Sequence, residues 1–190
     1  MKLLVHTCCA LCLGKLLGGL EEAGLERGDL TAYWNNPNIH PLIEWRRRLK
    51  AVKMLCGRTG LALEAEETYG LTAFCRAVHL HEDVPEERCA RCYAMRMAAA
   101  AARAKAGGFD AFTTTLLTSV QQRHELVKAA GEAAARAAGV AFFYHDWRGA
   151  VTDERLLRML YRQQYCGCVF SERERYEGTR LHLWPVGGEG

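Results

Sequence analysis

Leu3-Leu4-Val5-His6-Thr7-Cys8-Cys9-Ala10-Leu11-Cys12 is the stretch that decides the fold of this chain, a short apolar run followed at once by three cysteines. An apolar run of this length predicts a buried parallel strand. In open α/β sheets, ligands bind beyond the carboxyl ends of the strands. The stretch therefore predicts a site in which thiols occupy the place that a nucleotide-binding fold gives to its phosphate loop.

The remaining sequence alternates between strand and helix patterns, and glycines close several of the helices. Strands are predicted in the first run and over 30–34, 61–64, 111–115 and 140–144; helices are predicted over 13–23, 42–55, 69–81, 89–106, 122–138 and 152–164. This alternation predicts a three-layer α/β/α sandwich around a five-stranded parallel sheet. Residues 1–171 are expected to form one domain, and the tail 172–190 has no assignment.

The composition narrows the class of protein. With 190 residues, 49% of them hydrophobic, the chain can fill one core, and its net charge of +3 neither requires nor excludes a nucleic-acid partner. The sequence shows no secretory signal and no membrane-spanning run, so we expect a cytoplasmic protein without a membrane partner. In that compartment, nine cysteines favour metal binding or redox chemistry over a disulfide framework.

Seven of the nine cysteines fall into three clusters: Cys8, Cys9 and Cys12; Cys89 and Cys92; Cys166 and Cys168. Thiolates are soft ligands, and four of them complete a tetrahedral zinc site or hold a 4Fe-4S cluster. The spacing of Cys89 and Cys92 lets both reach one metal from the first turn of a helix. The adjacent pair in the first cluster suits different irons of a polynuclear cluster better than one zinc. The alternative is that Cys8, Cys9, Cys89 and Cys92 are buried structural thiols.

The third cysteine cluster and Asp146 suggest further chemistry. Cys166 and Cys168 are separated by one glycine, and such a pair forms a reducible disulfide or chelates a metal. Asp146 offers a hard oxygen ligand or a proton-transfer group; the alternative is a helix cap or a partner of Arg148. The role of Cys12 is the least defined of the seven clustered cysteines. His6 reads as a hydrogen-bonded histidine at the rim of the sheet.

A basic segment lies in the predicted helix 42–55, with Arg46, Arg47, Arg48, Lys50 and Lys53. Three tryptophans stand close to basic residues in the sequence: Trp34, Trp45 and Trp147. Basic groups that hold phosphates and aromatic planes that stack on unpaired bases are typical of RNA-loop recognition. The alternative is an ordinary solvated helix face.

Six segments combine these features: Cys8-Cys9-Ala10-Leu11-Cys12; 36–41 with Glu44, Trp45 and Arg48; 88–93 with Arg96; 113–117; Asp146-Trp147-Arg148; and 161–168 with Ser171. In this order they resemble the successive motifs of the QueH-type epoxyqueuosine reductases. The resemblance covers about residues 3–171. It implies an adenine-nucleotide-hydrolase-like (Rossmann-like) fold, in which the double cysteine replaces the phosphate loop.

The resemblance also implies an activity, the last step of queuosine synthesis, in which the epoxide of epoxyqueuosine at the tRNA wobble position is reduced without cobalamin. It implies a 4Fe-4S cluster and an additional iron, with electrons from an unidentified donor. The implied cluster ligands are Cys8, Cys9, Cys89 and Cys92. Asp146 would bind the additional iron, and Cys166 and Cys168 would be either its ligands or a redox dithiol, with Cys12 as a further catalytic candidate. Together with the basic segment, the expected tRNA contacts are Asn36, Asn38, His40, Arg46, Arg47, Arg48 and Arg148.

Two other functions fit parts of the pattern. A zinc-bound RNA-binding module would make the cysteines purely structural, and it predicts a colourless protein that contains zinc. A thiol-disulfide oxidoreductase without metal would use Cys166 and Cys168 alone and would leave the other clustered thiols unexplained.

Overall fold

The computed structural model describes residues 1–151 and 154–179, in which five strands form one sheet. The strands are β1 (Leu3–His6), β2 (Leu30–Trp34), β3 (Ala62–Ala65), β4 (Ala111–Thr114) and β5 (Ala141–Phe142). Their order is β3-β2-β1-β4-β5, and every neighbouring pair is parallel. This is the expected five-stranded parallel sheet.

The described residues also form the following helices: α1 (Ala10–Glu22), α2 (Leu42–Thr59), α3 (Leu71–Val78), α4 (Pro85–Ala106), α5 (His124–Ala138), α6 (Glu154–Met159) and α7 (Val169–Tyr176). Helix α1 packs beside α2, and α4 packs beside α5. Right-handed crossovers place these two pairs on opposite faces of the sheet. The predicted three-layer, Rossmann-like α/β sandwich is thereby confirmed. In the part of the chain that the structure describes, no helix is both long enough and apolar enough to cross a membrane.

Strand β1 lies at the centre of the core because it pairs with β2 on one side and β4 on the other. Leu3, Leu4 and Val5 are completely buried, as an apolar run covered on both faces requires. The chain crosses from β1 to β2 on one side, whereas β4 lies on the other side, so the strand order reverses next to β1. The carboxyl ends of β1 and β4 therefore flank the crevice in which folds of this type bind ligands.

Helix α4 starts earlier than the sequence pattern predicted, so the expected linker over 82–88 is only partly a linker. Pro85 occupies its first turn together with Glu86 and Glu87. Proline fits there because its missing N–H has no helical partner, and acidic residues are favoured near the positive end of a helix. Cys89 consequently lies in the second turn and not in the first.

The carboxyl-terminal part differs most from the prediction. Residues 152 and 153, the start of the predicted helix 152–164, lie outside the described residues, and α6 ends at Met159. Residues 161–166 instead use their side chains and carbonyls in contacts with distant elements. Helix α7 was missed by the prediction, and it crosses residue 171, where the expected domain ends. Strand β5 is also shorter than the predicted 140–144.

Candidate metal centre

Three cysteine sulfurs meet where β1 gives way to α1. The Sγ atoms of Cys8, Cys9 and Cys12 all lie within 4.8 Å of one another, and within residues 1–151 and 154–179 theirs is the only group of potential ligands this close. Cys9 is the N-cap residue of α1 and is buried, while Cys8 and Cys12 are half-buried. We refer to these three residues as the thiol trio.

Hydrogen bonds from three parts of the chain fix the thiol trio. The hydroxyl of Thr115, just beyond β4, donates to Cys8 Sγ at 3.2 Å and accepts from the Cys8 backbone N–H at 3.0 Å. The backbone N–H of Cys12 donates to Cys9 Sγ at 3.3 Å. Gln163 Nε2 donates to the same sulfur at 2.9 Å. The trio is thus tied to both sides of the crevice between β1 and β4.

Within the thiol trio, the surroundings shift the thiol pKa values in opposite directions. Hydrogen bonds from the Cys12 and Cys9 thiols lower the pKa of Cys8 well below the usual thiol value, and nearby Arg96 acts in the same direction. Burial raises the pKa of Cys9 well above that value. The hydrogen bond with Cys8 raises the pKa of Cys12 to about 12. The thiolate is the form of cysteine that binds metals and acts as a nucleophile. The lowered pKa favours this form at Cys8.

The other clustered cysteines gather beside the trio. Cys92 and Cys168 pack together with Phe74 and Val78 in a small apolar cluster. Burial raises the pKa of Cys92 to about 12, with Cys166 and Cys168 adding to the effect and Arg96 opposing it. Cys89 is half-buried, and burial raises its thiol pKa as well.

A cavity of about 560 Å³ connects the two groups of thiols. Its cysteine lining comprises Cys8, Cys12, Cys89, Cys166 and Cys168. Polar side chains complete the wall, among them Tyr93, Gln122, Arg123 and Gln163. The structure therefore brings residues from the first, middle and last thirds of the chain to one cavity.

Buried Arg48 holds the segment that carries Cys166 and Cys168. Its guanidinium, 2% exposed, pairs with Glu44 at 2.6 Å through Nε. Its Nη1 and Nη2 each donate at 2.9 Å, to the carbonyl oxygens of Cys166 and Tyr165. The backbone N–H of His40 also donates to the Gly167 carbonyl at 2.7 Å. These bonds determine the position of both thiols.

The asparagines and the histidine that were expected to contact tRNA are buried. Asn36 donates to the Thr7 carbonyl at 2.8 Å and accepts from Arg96 at 3.0 Å. Asn38 is 1% exposed, and His40 Nε2 bonds the Pro37 carbonyl at 3.1 Å. The side chains of Asn36 and His40 bond within the protein, whereas Asn38 Oδ1 is buried without a hydrogen-bond partner among the described residues.

The interpretation of the tryptophans as base-stacking residues was wrong. Trp34, Trp45 and Trp147 are all buried in the hydrophobic core. Trp34 and Trp45 contact each other edge to face, with ring centroids 5.9 Å apart. Large aromatic side chains contribute most when they are removed from water, and here that contribution goes to the fold.

Three of the arginines that were expected to contact tRNA are exposed: Arg46 and Arg47 in the first turns of α2, and Arg148 after β5. Arg148 Nε pairs with Asp146 at 2.8 Å, and its hydrogen bonds hold the pKa of that carboxyl well below its usual range. Within the described residues, Asp146 neither lines the cavity nor joins a group of metal ligands. The pairing with Arg148 is the alternative that the sequence had left open.

His6 is a hydrogen-bonded structural histidine, as expected. Its ring contacts Thr114 Oγ1 at 2.8 Å and the Asn35 carbonyl at 3.3 Å. Burial is the main cause that lowers its pKa to about 3, with Arg96 second, so the ring is neutral at physiological pH. A neutral ring suits a position between two parallel strands.

Gln122 and Gln163 are site residues that sequence reasoning missed. Gln122 Nε2 donates to Cys166 Sγ at 3.4 Å, and its Oε1 accepts from the Tyr93 hydroxyl at 2.8 Å. Gln163 contacts a cysteine 154 positions earlier. No local pattern marks a glutamine for such a contact, so only the tertiary structure identifies them.

Comparison with known proteins now decides the family. The model of the family described as epoxyqueuosine reductase QueH matches residues 3–174. The chain belongs to the QueH family. It is 38% identical over 178 residues to the epoxyqueuosine reductase QueH of Dehalococcoides mccartyi, covering 92% of this chain and 94% of that protein. The QueH of Thermotoga maritima is 31% identical, with 92% of each chain covered. The QueH of Histophilus somni is 33% identical over 91% of this chain and 73% of its own.

The resemblance to QueH proteins noted in the sequence is thus confirmed, and the donor set of the site fits a metal group. Three mutually close sulfurs and further thiols on the same cavity are soft ligands, which suit zinc or iron–sulfur chemistry. A thiolate favoured at Cys8 and the buried guanidinium of Arg96 nearby are consistent with a site built for negative charge.

Proposed function

We propose that this QueH-family chain is a cytoplasmic epoxyqueuosine reductase that converts epoxyqueuosine at the tRNA wobble position to queuosine, without cobalamin. The observation that carries the proposal is the cavity at the β1–β4 crevice, which is lined by thiols from all three cysteine clusters. The reaction replaces the two C–O bonds of an epoxide with an alkene and releases the oxygen as water. It consumes two electrons and two protons, and an external donor must supply the electrons.

The cysteines are proposed to hold a 4Fe-4S cluster and an additional iron. The proposed cluster ligands are Cys8, Cys9, Cys89 and Cys92; those of the iron are Asp146, Cys166 and Cys168. When bound, these groups would supply single electrons and a Lewis acid for the epoxide oxygen. The close approach of Cys12 to the Cys8 and Cys9 sulfurs supports Cys12 as a further participant.

The cavity residues are proposed to orient one nucleoside and to exclude water. A volume of about 560 Å³ is in the range of small-molecule sites, and one nucleoside taken out of its stack is proposed to share it with the metal groups. Tyr93 donates to Gln122, which donates to Cys166, so the hydroxyl, amide and thiol form one oriented chain. Polar groups of this kind recognise the hydroxyls of a cyclopentane ring.

The tRNA is proposed to lie across the start of α2. This helix begins at the carboxyl edge of the sheet, and Arg46 and Arg47 project from it into solvent. Exposed arginines that contact phosphates position an RNA without reading its sequence. Asn36, Asn38, His40 and Arg48 are proposed to act on the substrate through the loops that they hold, and Arg148 as a further phosphate contact.

Two measurements on anaerobically purified protein test this function. The first is the content of iron, acid-labile sulfide and zinc, together with the visible spectrum. The second is nucleoside mass spectrometry of epoxyqueuosine-containing tRNA after incubation with protein and a chemical reductant. We expect about four or more irons with matching sulfide, and a product lighter by one oxygen atom. One zinc, no sulfide after attempted reconstitution and unchanged tRNA would instead indicate a zinc-bound RNA-binding module.

A further inference from the structure

A glutamine amide reaches the thiol trio from the far end of the chain. Gln163 Nε2 lies 2.9 Å from Cys9 Sγ and 3.9 Å from Cys12 Sγ. The oxygen of the same amide is buried and has no hydrogen-bond partner among the described residues. The two distances show that the amide nitrogen, and not this oxygen, faces the sulfurs. A thiolate bound to a metal can only accept hydrogen bonds, so this is the orientation that a metal-bound sulfur requires.

The chain on both sides of Gln163 is anchored, which restricts the amide. Two residues earlier, the Tyr161 hydroxyl donates to buried Glu44. Two residues later, the Tyr165 carbonyl accepts from Arg48 at 2.9 Å. Because Arg48 and Glu44 are themselves paired on α2, one buried ion pair holds both anchors. The Gln163 contact is thus built into the fold and is not a chance approach of a surface side chain.

Hydrogen bonds to ligand sulfurs change the electronic properties of a metal group. Reduction adds negative charge, part of which resides on the sulfurs, and an N–H donor stabilises that charge. Such a donor therefore raises the reduction potential. Gln163 acts on Cys9, one of the proposed cluster ligands, from a distance at which the hydrogen bond is fully formed.

We propose that Gln163 is a positioning residue, which fixes the Cys9 sulfur and raises the reduction potential of the iron–sulfur group that this sulfur binds. The inference rests on the proposed function, because it assigns a role to a residue that contacts a proposed cluster ligand. Gln163 does not exchange electrons or protons in this role.

The test is the midpoint potential of the full-length, anaerobically purified protein without tRNA, from a redox titration monitored by electron paramagnetic resonance. In Gln163→Leu the donor is lost at similar side-chain size, so the potential is expected to fall. Gln163→Glu has the same size as glutamine and places a negative oxygen near sulfur, so a larger fall is expected. Gln164→Leu is the matched control, since the Gln164 amide donates to the Arg162 carbonyl at 3.1 Å and not to a thiol.

Each possible outcome either supports or overturns the proposed role of Gln163. A lowered potential in both Gln163 variants, with the wild-type value in Gln164→Leu and unchanged iron and sulfide, supports the inference. Wild-type potentials in both Gln163 variants overturn it. If Gln163→Leu does not retain its iron, Gln163→Glu is judged by the same criterion; loss of iron from both variants overturns a tuning role and makes Gln163 a requirement for assembly. Absence of iron and sulfide from the wild-type protein overturns the proposed function itself, and the inference with it.

Discussion

Gly167 adopts a backbone conformation that its surroundings make costly for any other residue. Its φ angle is +138°, and an added Cβ would lie 3.2 Å from both Arg48 Nη1 and Ile39 Cγ1. We expect Gly167→Ala to lower the free energy of unfolding by about 1–3 kcal/mol, measured by denaturant unfolding followed by circular dichroism. The control is Gly57→Ala on α2, where a Cβ meets no atom within 4 Å and alanine should stabilise the helix by ~1 kcal/mol. An unchanged unfolding midpoint in Gly167→Ala would contradict the strain argument.

Asp146 could serve as the partner of Arg148 or as a ligand of the additional iron, and a substitution can distinguish these two roles. Its carboxylate is exposed and pairs with Arg148, whereas the proposal makes it an oxygen ligand of the additional iron. We expect Asp146→Ala to abolish turnover on epoxyqueuosine-containing tRNA and to leave most of the cluster absorbance, because the proposed cluster ligands are all thiols. Arg148→Gln, which removes the ion pair but keeps the carboxylate, is the control, and because Arg148 is also a proposed phosphate contact, turnover is compared at saturating tRNA. Full turnover in Asp146→Ala would limit Asp146 to its pairing with Arg148.

At the scale of elements, α2 carries arginines of two kinds on one helix. Arg48 is buried with Glu44, and it also bonds the carbonyls of Tyr165 and Cys166. Replacing one partner of a buried pair leaves the other charge without compensation, at a cost of about 3–5 kcal/mol. We therefore expect Arg48→Met to lower the free energy of unfolding by that amount, with partial recovery in the Glu44→Gln/Arg48→Met double variant. Exposed Arg46→Ala, the control on the same helix, should change it by no more than about 0.5 kcal/mol. Equal stability of Arg48→Met and wild type would show that the pair is not needed.

The exposed arginines of α2 should affect tRNA binding, whereas buried Arg48 should affect the stability of the fold. Arg46→Ala and Arg47→Ala each remove one proposed phosphate contact, so each should weaken tRNA binding at all salt concentrations and reduce the slope of log K against log salt by about 1. The measurement is binding of unmodified tRNA by fluorescence anisotropy between low and moderate salt. Arg136→Ala on α5 is the control, since Arg136 lies near the end of that helix, at the opposite edge of the sheet. If the salt slopes of all variants equal that of the wild type, this helix face contacts solvent and not the tRNA.

At the scale of the whole molecule, the sheet predicts an order of local stability. Strand β1 is paired on both sides and completely buried, whereas β3 and β5 form the two edges. Buried central strands open only with global unfolding, while edge strands also open locally. We expect amide hydrogens of β1 to exchange at least about tenfold more slowly than those of β5, which corresponds to ~1.4 kcal/mol in opening free energy. Native-state hydrogen exchange by mass spectrometry measures this, and equal protection of β1 and β5 would contradict it.

The sequence by itself determined the sheet and most of the helices. Apolar runs, glycine stops and cysteine spacings lie within a few consecutive residues, so local rules could interpret them. Parallel strands then had to bring their carboxyl ends to one edge, and Cys8 and Thr115 met there as a result. Sequence reasoning failed where a local pattern competed with distant partners. The predicted helix 152–164 ends at Met159, because residues beyond it bond α2 and the thiol trio.

Only the tertiary structure decided which polar and aromatic side chains are buried. Arg46 and Arg48 are two positions apart on α2, yet one faces solvent and the other a buried carboxylate. Trp45 was expected at an RNA surface and lies in the core. Gln163 meets Cys9 across 154 positions of sequence. Such contacts depend on how separate elements pack, and that packing follows from the burial of the whole core and not from any single stretch of residues.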